Sequence, residues 1–109
     1  MGRALGNGEL IVEIEKTKTF TLNTPIESND GSVRYEEINL KEPVLLQVEQ
    51  FYAEQAKSAS SLPAMRLLIV LVSGIPDPVI KKMAITDFAV CRDYLQSFLA
   101  FNPSKNGNS

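Results

Sequence analysis

Few residues in this chain could do chemistry, and their surroundings count against most of them. Cys91 is the one cysteine, and histidine is absent. A thiol needs a base to become a nucleophile, and the commonest base near neutral pH is missing. One cysteine forms no internal disulfide, and without imidazole it builds no zinc site of the usual kind. Glu36 and Glu37 are neighbours in a strand-like stretch, so they point to opposite faces and make no paired-carboxylate site. Lys81-Lys82 reads first as a solvated helix face and second as a phosphate contact, since no glycine-rich phosphate loop occurs. Asn29-Asp30-Gly31 lacks the further oxygen ligands of a calcium loop. Asn102-Pro103-Ser104 has proline in the middle of a sequon and fails as a glycosylation acceptor. The expectation is a protein that is not an enzyme, with no catalytic residues, no cofactor and no metal.

The elements that carry these residues must come from a chain of 109 residues, 44% hydrophobic and 22% charged. That suits one domain with a core of its own. The net charge is −2 and the pI about 5.1, which gives no support for a nucleic-acid partner. The charge is uneven. Residues 1–54 hold ten acids and five bases, whereas residues 55–109 hold three acids and six bases. The two halves can attract each other within or between chains, or simply present two solvated faces. Met1 to Gly8 has no apolar stretch of the signal-peptide kind. The longest apolar run, Leu67 to Val72, is far short of the roughly 20 residues of a membrane span. A cytoplasmic protein with no membrane partner is expected.

Along the chain, period-2 patterning gives way to period 3.6. Met1–Gly8 is glycine-rich and expected to be mobile, and Leu10–Ile14 has strand composition. Thr17–Thr24 reads as a strand closed by Pro25. Ser28–Ser32 reads as a turn in which Asp-Gly reaches positive φ cheaply. Val33 to Leu40 reads as the returning strand. Val33 and Tyr35 share one face and Ile38 and Leu40 the other, so either a bulge near Glu36-Glu37 changes the face or both faces are partly covered. Pro43 opens a first helix with an apolar stripe of Val44, Val48, Phe51 and Tyr52 that fades at Gln55. A second helix follows Ser61, carries Pro63 in its first turn and stops at Gly74. Asp77 and Pro78 start a short third helix, Val79 to Ala84. Thr86 caps a fourth, whose stripe is Phe88, Cys91, Leu95, Phe98 and Leu99. Asn102–Ser109 reads as a disordered tail. The fold class is therefore α+β: an N-terminal antiparallel β-hairpin followed by a bundle of about four α-helices. Residues 1–17 form an extended, partly mobile segment, 18–101 a single domain and 102–109 the tail.

The second helix is the most informative local feature. Ala64, Met65, Leu67, Leu68, Ile69, Val70, Leu71 and Val72 cover nearly all of its circumference, and Arg66 is its one charge. Such a helix is buried in its own domain or against a partner. One face holds Met65, Leu68 and Val72, of which Met65 and Leu68 can meet the stripe of the last helix. That leaves Leu67, Val70 and Leu71 as the partner-binding face. The apolar excess also predicts self-association when no partner is present.

The order of these features resembles a family. Thr19-Phe20-Thr21-Leu22-Asn23-Thr24-Pro25-Ile26 leads to a turn at Gly31, then to Ile38-Asn39-Leu40-Lys41-Glu42-Pro43 and a helix. The apolar helix reaches Ser73-Gly74-Ile75-Pro76, followed by Ile80–Asp87 and finally Tyr94-Leu95-Gln96-Ser97-Phe98-Leu99. This is similar to the tail assembly chaperones of contractile-tailed phages and prophages, the tail-protein-E type also found in Mu-like phages. The resemblance covers about residues 18–100. Met1–Thr17 is longer than the family's usual start, and Met83 stands where leucine is commoner. The resemblance implies a non-enzymatic helper that binds the tape measure protein and keeps it soluble until the tail tube polymerises. It implies action in the host cytoplasm, absence from the mature virion, and in many members a longer, frameshifted form of the same chain.

Two other readings remain at this level. One is a small adaptor or structural subunit of another assembly. The other is a DNA-binding regulator, in which Val79–Ala84 and Thr86–Phe101 imitate a helix-turn-helix. The would-be recognition helix carries Asp87 and Asp93 against one base, Arg92, which supplies phosphate contacts poorly.

Overall fold

The computed structural model describes the backbone of residues 2–4 and 10–12 and the structure of residues 14–99. The expected tail, residues 102–109, and the last residues of the expected domain lie outside the described residues. β1 (Gly2–Ala4) pairs antiparallel with β2 (Leu10–Val12), inside the segment expected as an extended N-terminal stretch. The main hairpin is β3 (Thr17–Glu27) with β4 (Arg34–Lys41), followed by α1 (Leu45–Gln55), α2 (Leu62–Ser73), α3 (Asp77–Ile80) and α4 (Ile85–Leu99). The architecture is α+β, an antiparallel hairpin followed by four helices.

β3 does not end at Pro25 as its composition suggests; it continues to Glu27. Its register runs from Thr17 opposite Lys41 to Thr21 opposite Glu37, then resumes with Ile26 opposite Tyr35. Leu22 to Pro25 thus stand against Glu36 alone. A proline fits here because this irregular stretch asks for no ladder bond from its nitrogen. The change of face expected near Glu36-Glu37 is present, but the extra residues lie on the partner strand. Tyr35 is half-buried on one phase, and Ile38 and Leu40 are buried on the other. The connecting turn has Gly31 at φ 74, a conformation that side chains other than glycine resist.

The helices lie on one face of the hairpin. Leu22, Ile38 and Leu40 point into the core, while Thr19, Thr21, Glu37 and Asn39 are exposed. α2 lies at the centre and touches α1, β4, α3 and α4. Its neighbours on several sides account for an apolar surface that runs round the helix. Ala64, Met65, Leu68, Ile69 and Val72 are buried. Gly74 ends α2 at φ 78, and its N–H donates to Val70 O at 2.9 Å.

Three boundaries differ from those the sequence predicts. α1 starts at Leu45, because the side-chain oxygen of Gln47 accepts the N–H of Val44 at 3.0 Å and holds Val44 outside the first turn. α3 is one turn, Asp77–Ile80, rather than Val79 to Ala84, since Pro76 is in extended conformation and places the helix start two residues earlier. α4 begins at Ile85, so Thr86 lies inside the helix and is not its cap.

Candidate functional site

The side chains best able to do acid, base or thiol chemistry are occupied with structure. Cys91 is buried in α4, and burial together with the nearby charge of Asp87 pushes its thiol up to about 12. It is protonated at any physiological pH. Asp30 sits in the hairpin turn. There its Oδ1 accepts the Ser32 N–H at 3.0 Å and the hydroxyls of Ser28 and Ser32 at 2.7 Å each. These bonds, the Ser32 N–H foremost, lower its carboxyl to about 2. Glu36 pairs with Arg34 at 2.9 Å, and Lys81 with Asp77 at 3.7 Å. Among the described residues no three His, Cys, Asp or Glu side chains gather as a metal site, and no helix is long and apolar enough to cross a membrane.

What the surface does offer is apolar. α1 is an edge helix packed against α2. Gln47 joins the two, its Nε2 donating to Leu71 O at 3.4 Å, and Phe51 one turn later is buried. Fixing residues 47 and 51 against α2 turns the opposite arc outward. Leu45, Leu46 and Tyr52 are consequently between 50% and 74% exposed, and Val44, ahead of the helix on the Phe51 side, is exposed because it lies outside the first turn. Leu45, Val48 and Tyr52 fall at i, i+3 and i+7, and Glu49 sits beside Leu45 on the next turn. The stripe expected to bury Val44, Val48, Phe51 and Tyr52 together buries Phe51 alone. Gln47 and Phe51 set the rotation of the helix, and that leaves the other apolar residues at or near the surface.

The face of α2 expected to meet a partner is half-buried: Leu67, Val70 and Leu71 all lie at intermediate exposure, with Val70 packed against the core. Met65, Leu68 and Val72 on the other side are buried. The apolar excess attributed to α2 is thus largely absorbed within one chain. It reappears on α1, where Leu45 and Leu46 lie off the stripe the sequence displays. The local signal for it is the apolar group Val44-Leu45-Leu46-Val48, too many for one buried face of a short helix.

A second apolar feature lies at the other end of α2. Leu62, Ile80, Met83, Ile85 and Phe88 line a groove of about 160 Å³ where the starts of α2 and α4 meet α3. Leu62 and Ile85 stand exposed at its rim. Arg66 and Lys81 supply its charge, and both reach the same acid, Asp77, at 2.9 and 3.7 Å. Lys82, exposed in the adjoining turn, makes no ion pair with a described residue. The groove therefore carries an excess of positive charge.

The hairpin is tied to α4 by two contacts. Asp87, 4% exposed, accepts the N–H groups of Asn23 and Thr24 at 3.0 Å each. Tyr94 stacks edge-on against Phe20 and Phe98, and its hydroxyl donates to Glu15 O at 2.5 Å. Burial, reinforced by the charges of Glu15 and Glu42, raises the Tyr94 phenol above its ordinary value.

A family model described as phage tail assembly chaperone proteins, E, or 41 or 14, matches residues 19–100. No curated protein and no solved structure matches the chain. The matched span runs from β3 to the end of α4, so it includes the hairpin, the exposed arc of α1, the groove and the Asp87 contact.

Proposed function

Because the chain belongs to the phage tail assembly chaperone family, we propose that it binds the tape measure protein through apolar helix surface and keeps it soluble until the tail tube polymerises. The observation that supports this most directly is the outer arc of α1, where Leu45, Leu46 and Tyr52 are exposed together on an edge helix. A long amphipathic client presents apolar side chains at i, i+3, i+4 and i+7, and a helix face with matching spacing accepts them. The half-buried Leu67, Val70 and Leu71 supply a second, smaller apolar area on α2. The role is non-enzymatic and requires no cofactor. It is exercised in the host cytoplasm, and the protein leaves before the virion matures.

The test is co-expression with the tape measure protein of the same phage. The wild-type chain is expected to move the client into the soluble fraction and to co-purify with it. Leu45→Asp with Leu46→Asp should abolish this while leaving the fold intact, because both side chains are exposed. Client that stays insoluble beside the wild-type protein, or that is solubilised equally by the double variant, rejects the α1 surface. Purified virions that contain the chain would reject its departure.

A further inference from the structure

We propose that, with no client present, the outer arc of α1 of one copy seats in the groove between α2, α3 and α4 of a second copy. Two complementary surfaces on one chain point to this occupant. The arc is apolar and acidic: Leu45, Val48 and Tyr52 flank Glu49, and α1 carries no base along Leu45–Gln55. Glu49 makes no ion pair with a described residue. The groove is apolar and basic, with Leu62 and Ile85 at its rim and Arg66 and Lys81 sharing the one acid, Asp77. An acidic apolar helix is what such a groove accepts. The nearest supply of one is the neighbouring molecule.

The two surfaces share no residue, so the contact is head-to-tail and not the isologous kind found in a twofold dimer. Each copy in a pair keeps one free arc and one free groove, and association continues with concentration. The contact also covers the surface that the proposed client takes, so a client helix competes with α1 of the neighbour. In that respect the inference rests on the client reading. Its test uses no client, so a failed self-contact leaves the client reading standing.

Leu45 and Ile85 are the first residues of α1 and α4, and both are exposed. Aspartate suits the first turn of a helix, so Leu45→Asp and Ile85→Asp should leave the fold unchanged by circular dichroism and thermal melting. Sedimentation velocity of the wild type is expected to show association that rises with concentration and weakens with added salt. Each variant alone should associate about tenfold more weakly or worse. An equimolar mixture should form heterodimers and stop there, because the intact arc of one variant meets the intact groove of the other and the two remaining surfaces are damaged. A wild type that stays monomeric overturns the proposal. So does either variant that associates as the wild type does, or a mixture that stays monomeric while both variants are folded.

Discussion

Asp87 holds the backbone of Asn23 from 64 residues away, its Oδ1 accepting the Asn23 N–H at 3.0 Å while Oδ2 takes that of Thr24. These are two of the N–H groups that the register shift in β3 withdraws from the strand ladder. Without the carboxylate both lose their acceptor, at about 1–2 kcal/mol each because Asn23 and Thr24 are themselves exposed to water. Asp87→Ala is expected to lower unfolding free energy by about 2–4 kcal/mol. Asp87→Asn should lower it by less, since the amide oxygen still accepts one bond. Urea titration of the three proteins measures this, and equal stability of all three would remove the role given to Asp87.

The two faces of α2 should separate by magnitude. Leu68 is fully buried, so Leu68→Ala is expected to cost roughly 2–5 kcal/mol. Leu71 is half-buried beside α1, and Leu71→Ala should cost clearly less. Client solubility measured beside stability then distinguishes surface from core. If both substitutions destabilise alike and client retention follows stability alone, α2 is core on both sides and the client surface is confined to α1.

Cys91 is expected to resist thiol reagents in the native protein and to react at once in denaturant. Its thiol is raised from about 9.0 in the free state to about 12 in the fold. A group raised in this way contributes stability that is complete below pH 9 and is lost as pH climbs toward 12. Cys91→Ser should flatten that alkaline loss. A variant with the wild-type alkaline profile would assign the loss to other groups.

Asp30 should titrate near pH 2, well below the ordinary carboxylate range, in a pH series followed by nuclear magnetic resonance. Its pKa is depressed in the fold, so the turn it orders is complete above the ordinary carboxylate range and loosens as pH falls toward 2. Ser32→Ala removes one hydroxyl donor and leaves the backbone one, so the Asp30 midpoint should rise only part of the way.

Much of the fold was legible because its signals are local. Gly74 sits where its freedom from a side chain suits the end of α2. The phase change between Tyr35 and Ile38 announced an irregularity in the hairpin. Phe88, Cys91 and Leu95 face the core as their spacing requires. The strand that carries the extra residues was not legible, because the carboxylate that stabilises Asn23 and Thr24 lies in another element. Nor was the rotation of α1. Its apolar residues spread around the helix, and Gln47 bonding to Leu71 O decides which of them meet water. The exposed arc thus follows from a tertiary contact that no window of the sequence contains.

The bond from Asn23 to Asp87 also sets a delay during synthesis. β3 and β4 are made first, but the carboxylate that completes β3 is translated 64 residues after Asn23. At about 5–20 residues per second, the ribosome needs roughly 3–13 s to deliver it. The hairpin is complete at Lys41, and until α2 follows it is a two-stranded ribbon, marginal in water, with Ile38 and Leu40 uncovered; the Asn23 and Thr24 N–H groups wait longer, until Asp87 is made. The nascent chain thus carries uncovered apolar strand surface before its helices are in place.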